Sequence, residues 1–272
     1  MWMSLESTIR KVDEDRYFAA LFAPVEKRAD LFALIALNNE LARVAESVRE
    51  PMMGAIRLQW WRETIEGARE GKPREHPVAR ALAALFQRHD LPQALFDAMI
   101  DAREMDSAAH VFPSLTALES YADATSGHLM RLSARVLGDA DDDLARHAGI
   151  AHALTGILRA IPFHAARGKA YLPEDCLRNA GTSQADLIGT HSGKKLAPVI
   201  AHIAGTVRKH LAKARSLPKA GNALPAYLAA ATAPLYLKRV SRADFDAFKD
   251  EVRVPVYRRQ FAMLRASWRG QI

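Results

Sequence analysis

Histidine and arginine side chains recur at helical spacing among the apolar residues of the stretch 150–173. His152 and Arg159 fall on one helical face, and His164 and Arg167 lie beside it, so polar groups share a surface with residues that look buried. Buried polar groups need hydrogen-bond partners, and this face therefore predicts either a ligand or a dense internal network. The stretch contains no acidic residue.

Three arginines could bind a phosphate or a lipid headgroup without a metal, because the guanidinium fork matches phosphate geometry. They are Arg43, Arg159 and Arg167. The alternative is that they form ion pairs with local acids such as Glu40 or Glu46, since buried charges are normally paired. The sequence leaves both interpretations open.

The two histidines of the stretch are too far apart along one helix to share a metal ion. His164 could contact an anion or donate a proton, whereas a core histidine satisfied by local hydrogen bonds is the alternative for both His152 and His164. The acidic run Asp101, Glu104 and Asp106 predicts a solvated helix face. No CxxC or HExxH pattern occurs, so we expect no metal and no other cofactor.

The composition is that of a globular protein with a basic balance. The 272 residues include 38 Lys and Arg against 31 Asp and Glu, a formal charge of +7, which favours anionic partners without selecting among them. Basic tracts interleaved with aromatics are missing, so nucleic-acid binding has no specific support. A single cysteine, no signal-like N-terminus and no apolar run of about 18 residues predict a cytoplasmic protein, with peripheral attachment to a membrane left open.

Strand signals are nearly absent, and Ala, Leu, Arg and Glu dominate long periodic stretches punctuated by proline and glycine. Continuous helices are predicted over about 24–50, 115–137 and 226–248. Pro162 should kink the helix that carries the stretch 150–173. The apolar 226–248 segment could lie on an anionic membrane surface or simply pack in the core. We expect residues 1–272 to form one all-α domain, a helical bundle around a central cavity.

Two pairs of motifs resemble the squalene/phytoene synthase family in order and separation. The first pair is Glu-Lys-Arg-Ala-Asp-Leu-Phe-Ala-Leu-Ile-Ala-Leu at 26–37 with Arg-Leu-Gln-Trp-Trp-Arg-Glu at 57–63. The second is Gly-Ile-Leu-Arg at 156–159 with Arg-Gly-Lys-Ala-Tyr-Leu-Pro at 167–173. The resemblance implies the isoprenoid-synthase fold and a head-to-head transfer of prenyl diphosphates, in which aspartate-rich motifs on two facing helices hold Mg²⁺ against the diphosphate.

The chain departs from the family at those metal-binding positions. The five positions that match the aspartates are occupied by Asn39, Glu40, Arg43, Ala160 and His164. Four of the five carboxylates are missing, and Arg43 would repel a divalent cation. The resemblance therefore implies Mg²⁺ only if a rearranged site, built for example on Glu40 and Glu46, supports an active prenyl diphosphate transferase.

The altered motifs are similar to a non-synthase branch of the family that contains complex I assembly factor 6. That resemblance implies a catalytically lapsed protein whose partners are respiratory complex I subunits or assembly intermediates, with an isoprenoid or lipid in the cavity. It also implies contact with the inner face of the membrane, on the matrix side if the protein is mitochondrial. A plain helical scaffold with a filled interior is a third possibility. The candidate cavity and anion-binding residues are Asn39, Glu40, Arg43, Glu46, His152, Arg159, His164, Arg167 and Tyr171.

Overall fold

Helices make up the regular secondary structure of the residues that the computed structural model describes, which are 5–47, 50–107, 111–139, 141–190 and 193–272. No strand occurs in these ranges, which confirms the all-α class. The α-helices are α1 (Leu5–Val12), α2 (Glu14–Ala20), α3 (Val25–Ser47), α4 (Pro51–Arg69), α5 (Pro77–Arg88), α6 (Gln93–Ser107), α7 (Leu115–Ala122), α8 (His128–Val136), α9 (Asp142–Arg159), α10 (Ile161–Ala165), α11 (Glu174–Asn179), α12 (Gln184–Thr190), α13 (Ala197–Ser216), α14 (Ala233–Val240) and α15 (Val256–Arg269).

The ends of several helices follow from local capping chemistry. Ser114 and Asp141 lie at N-caps, where their side-chain oxygens accept the amides of the residue three positions on. The kink predicted at Pro162 is present as a break, because α9 ends at Arg159 and α10 restarts at Ile161. The end predicted for the helix over 24–50 includes residues 48–49, which lie outside the described ranges.

Two of the predicted continuous helices are interrupted. A π-helical turn at Asp123–Gly127 separates α7 from α8 in the segment expected to be one helix over 115–137. In the other segment, 3₁₀ turns at Gly221–Ala226 and Leu228–Thr232 precede α14, and prolines at 225 and 234 account for the irregular backbone. Most apolar residues of this second segment are buried, so the segment packs largely in the core, while Pro234 is exposed and Leu235 partly exposed.

The backbone of α9 passes directly against the backbone of the π turn. A Cβ atom added at Gly149 would lie 2.4 Å from the Cα atom of Gly127 and 2.5 Å from its amide nitrogen. The two segments therefore pack backbone against backbone, which only glycine permits at this separation. The contact holds the π turn against the middle of α9.

Helix α9 contributes to two clusters of buried apolar side chains. Ala145 and Ala148 pack with residues of α3, α5 and α8, while Ile150 and Leu154 pack with residues of α10 and α13. Burial of a leucine side chain such as Leu154 contributes about 1.5–3 kcal/mol. That residues 1–272 form a single domain stays a prediction.

The last helix closes on the start of the chain. Arg259 of α15 is buried and donates hydrogen bonds to the carboxylates of Asp15 and Glu14 at the first turn of α2. The favourable position of acids at a helix N-terminus adds to this ion pair. In the described ranges, none of the helices is both long and apolar enough to cross a membrane.

Candidate functional site

A cavity of about 620 Å³ lies between α3 on one side and α9 and α10 on the other. The remaining walls come from α2, the end of α6, the end of α7, the π turn and the loop after α10. Polar and charged side chains form much of the lining, among them Arg16, Asn38, Asn39, Glu46, Arg103, Asp106, Tyr121, Ser126, His152, His164, Arg167, Lys169 and Tyr171. After the break between α9 and α10, the basic loop at the end of the stretch 150–173 lines this cavity.

Six of the nine candidate residues line the cavity. Asn39 and Glu46 extend from α3, and the other four extend from α9, from α10 and from the loop after α10. These four are His152, His164, Arg167 and Tyr171. The structure thus brings together residues from two helices that are more than 100 positions apart in the sequence, as the family resemblance implied.

The remaining three candidates lie outside the lining. Glu40 and Arg43 face a neighbouring groove of about 450 Å³, where their side chains pair at 3.9 Å. Arg159 is not among the lining residues, and its guanidinium stacks on the ring of Tyr236 at 3.8 Å and lies 4.0 Å from the carboxylate of Asp15. Arg43 thus fits the interpretation of pairing with a local acid, whereas the acid beside Arg159 is remote in the sequence.

Arg167 has a different environment from the other two arginines. Its guanidinium stacks on the half-exposed ring of Phe163 at 3.5 Å and donates to the carbonyl of that residue at 3.2 Å. Arg167 lines the cavity, and its hydrogen bond to the carbonyl of Phe163 uses one of its five N–H donors. Arg167 is therefore the candidate arginine that can meet an anionic group there.

A buried carboxylate organises the wall formed by α6, and the prediction of a solvated acidic face is wrong for it. Asp106 is 3% exposed and accepts hydrogen bonds from the hydroxyls of Tyr121 and Tyr171, at 2.7 and 2.9 Å, and from Arg103 at 2.9 Å. The error arises because the Asp106 side chain lies in the cavity wall, where residues remote in sequence surround it. Asp101, five residues earlier, is exposed, as the prediction stated, and pairs with Arg62 at 2.7 Å.

Burial keeps the imidazoles of the cavity neutral. It lowers the pKa of His152 to about 3, and the nearby cation Arg16 adds to this effect. Burial likewise lowers the pKa of His164 to about 4, with Lys169 and Arg167 acting in the same direction. A neutral imidazole carries one donor and one acceptor nitrogen, so both histidines can hydrogen-bond an uncharged polar group.

The candidates from the sequence omit three cations of the lining: Arg103, which pairs with Asp106, and Lys169 and Arg16. The ammonium of Lys169 donates to the backbone carbonyls of Ala45 and Asp106, near the ends of α3 and α6. Arg16 bridges the carboxylate of Asp13 at 2.8 Å and the hydroxyl of Ser126 at 2.9 Å. Lys169 lies within one of the motifs that carry the resemblance and could have been found there, whereas nothing in the sequence marks Arg16.

The lining does not fit the cluster of Mg²⁺ ions that the synthase fold implies. Glu46 and Asp106 are its carboxylates in the described part of the chain, and Asp106 already accepts three hydrogen bonds. Ala160 offers no side-chain ligand, and cations occupy the walls. In the described ranges, no three His, Cys, Asp or Glu side chains converge as metal ligands would.

Comparison with known proteins places these features in a family. The model of the squalene/phytoene synthase family matches residues 9–260. The chain is 36% identical over 245 residues to "NADH dehydrogenase (ubiquinone) complex I, assembly factor 6" of Homo sapiens, a match that covers 88% of this chain and 74% of that protein. It is 30% identical over 196 residues to a presqualene diphosphate synthase of Sinorhizobium fredii, covering 70% of this chain and 68% of the synthase.

A solved structure agrees with the sequence matches. A dehydrosqualene synthase crystallised with a ligand superposes with a TM-score of 0.82 at 20% identity, covering 97% of this chain and 94% of the synthase. The likeness shows that the helices are arranged as in the isoprenoid synthases. On the family match and the shared fold, the chain belongs to the squalene/phytoene synthase family.

Proposed function

We propose that this chain is an assembly factor for respiratory complex I that works by binding and does not transfer prenyl groups. The observation that carries the proposal is the 36% identity, over 88% of the chain, to a protein named as a complex I assembly factor. The match to a presqualene diphosphate synthase is shorter and weaker, at 30% over 70% of the chain. The partners are then complex I subunits or their assembly intermediates.

The chemistry of the cavity supports binding in preference to catalysis. Head-to-head prenyl transfer needs several carboxylates to hold Mg²⁺ against a diphosphate leaving group. The cavity instead presents Asn39, neutral imidazoles and the cations Arg167 and Lys169. Such a wall suits an anionic isoprenoid or lipid headgroup held by side chains alone. This ligand is part of the proposal, as is a location at the membrane surface where complex I is built.

Deletion of the gene in the source organism tests the proposal. We expect reduced complex I on native gels and reduced rotenone-sensitive NADH oxidation, with unchanged squalene, carotenoid and hopanoid pools. Re-expression of the wild-type chain should restore complex I. Lys169→Glu, which reverses a cation of the cavity wall, should not restore it, whereas Lys249→Glu on an exposed turn should. Normal complex I in the deletion strain would contradict the assembly role.

The alternative is an active prenyl diphosphate transferase, which the match to a presqualene diphosphate synthase and the presence of Glu46 in the cavity favour. Incubation of the purified protein with farnesyl diphosphate and Mg²⁺ separates the two functions. We expect no condensed product. Turnover that is abolished by Glu40→Ala or Glu46→Ala would establish the transferase and refute the binding role.

A further inference from the structure

The outward face of α15 carries a stripe of exposed aromatic side chains. Tyr257, Phe261 and Trp268 are 65%, 60% and 76% exposed, and their spacing of four and seven residues places them along one side of the helix. Large apolar side chains are seldom this exposed in a row unless the surface has a partner. The stripe lies far along the chain from the motifs that carry the family resemblance.

Arginines border this stripe, and acids are missing from the helix. Arg258, Arg265 and Arg269 are exposed, and the sequence of Val256–Arg269 contains no aspartate or glutamate. The three arginines line a groove of about 530 Å³. Its lining also includes the apolar residues Ala231, Pro234, Leu235, Ala262 and Ala266.

The orientation of α15 is fixed from its opposite face. Arg259, Met263 and Ala266 are buried, and Arg259 forms the ion pair with α2 described above. The aromatic stripe and its arginines consequently point away from the core in the folded protein. They form a surface distinct from the cavity between α3 and α9.

We infer that this face of α15 docks the protein on an anionic phospholipid bilayer. Tyrosine and tryptophan suit the boundary between headgroups and acyl chains, because one end of each ring system is polar and the other apolar. The arginines meet headgroup phosphates through paired N–H donors, and the groove receives part of a headgroup or chain. This face would be the surface by which the protein reaches the membrane location of the proposed function. The inference rests on that function only for its role in the cell.

Charge complementarity selects this partner. A helix with exposed aromatic rings, three exposed arginines and no acid fits a continuous sheet of phosphates. A second copy of the same face would instead bring like charges together, which disfavours a symmetric dimer. Dimerisation through α15 is accordingly an outcome that the experiment must detect.

Vesicle binding of the full chain tests the inference. The protein is sedimented with phosphatidylcholine vesicles that contain or lack phosphatidylglycerol, at low and high salt. We expect binding that requires the anionic lipid and weakens with salt. Replacing Arg258, Arg265 and Arg269 by Gln should weaken it roughly a hundredfold, since each arginine near an anionic surface is worth about a fivefold factor.

A charge-matched variant is the control. Gln at Lys72, Arg80 and Lys249 removes three exposed cations that pair with acids elsewhere on the surface, and this variant should bind vesicles as the wild type does. Equal loss in both triple variants would mean that net charge, and not α15, governs binding. Absence of vesicle binding by the wild type would overturn the inference.

A second measurement does not depend on the arginine variant folding. Tryptophan emission of the wild type should be quenched by brominated phospholipid, and Trp268→Phe should abolish that quenching while it keeps most of the binding. Sedimentation equilibrium without lipid should give a monomer, and a dimer broken by Phe261→Ser would assign the face to a second copy instead. A failed vesicle test with intact complex I complementation would refute the docking surface and leave the proposed function standing.

Discussion

Asp106 illustrates how the position of one residue in the fold changes its chemistry. A carboxylate near the end of a helix is usually solvated, but here two tyrosine hydroxyls and Arg103 converge on it in the wall of the cavity. The group also helps to orient Tyr171, whose ring contacts that of His164 with centroids 4.5 Å apart. A single acid thus positions several side chains of the lining.

Asp106→Asn should lower the free energy of unfolding by about 3 kcal/mol, because it leaves the partly buried guanidinium of Arg103 without its carboxylate. Urea denaturation measures this change. Asp101→Asn is the matched control on the same helix. Its carboxylate is 65% exposed and pairs with Arg62, so the loss should stay below about 1 kcal/mol. Equal losses would contradict the structural role given to Asp106.

For single residues, the sequence predicts which polar side chains share a face better than it predicts which residues surround them. Histidines and arginines at helical spacing predicted a polar face, and His152, His164 and Arg167 do line the cavity. Spacing alone could not show that Arg159 turns toward Asp15, because that contact joins residues 144 positions apart. The surroundings of Asp106 depend in the same way on helices that are remote in sequence.

The contact between α9 and the π turn is the main departure from regular geometry at the scale of elements. The turn contributes Thr125 and Ser126 to the cavity, and its wider coil accommodates the backbone of α9 at Gly149. The periodic apolar pattern predicts a continuous helix over 115–137, but it does not show that one turn of this helix is π-helical and so holds an extra residue. The interruption follows from packing and not from local propensity.

Gly149→Ala should destabilise the protein by about 3 kcal/mol, since the added methyl group would overlap the backbone of Gly127 and push α9 away. Thermal or urea unfolding measures the effect. Gly205→Ala in α13 is the control, because a Cβ atom there meets nothing within 4 Å. That substitution should leave stability unchanged or raise it by up to about 1 kcal/mol. A tolerated Gly149→Ala would show that the two segments can separate without loss.

Acid sensitivity belongs to the whole molecule, because several histidines are held neutral inside it. His164 titrates near pH 6.5 in the unfolded chain and at about 4 in the folded protein. Its contribution to stability is complete above pH 6.5 and is lost as the pH falls toward 4, since the unfolded chain binds the proton first. His152, whose pKa is lowered to about 3, acts in the same direction.

The free energy of unfolding should therefore fall by about 1 kcal/mol per pH unit for each such histidine between pH 6.5 and pH 4. Denaturation at a series of pH values measures the slope. His164→Gln should make it shallower. The control is His202→Gln, at an exposed position of α13, which should leave the slope as in the wild type. An unchanged slope in His164→Gln would contradict the neutral, buried imidazole.

The fold of the whole chain was the most predictable property. Long apolar periodicities and the near absence of strand signals predict an all-α bundle, and the paired motifs at 26–63 and 156–173 predict which helices face each other across a cavity. The shape of the cavity was not predictable, since it depends on the break after Arg159 and on the direction in which each side chain leaves its helix. The groove beside Arg43 is one result of those directions.

The ammonium of Lys169 has consequences for how this protein tolerates mutation. Its two hydrogen-bond acceptors are main-chain carbonyls in the last turns of α3 and α6, where the negative ends of two helix dipoles converge. Main-chain carbonyls persist when side chains change. Substitution of neighbouring acids therefore leaves the hydrogen bonds of Lys169 intact. Related sequences can change around Lys169 while its positive charge stays on the cavity wall.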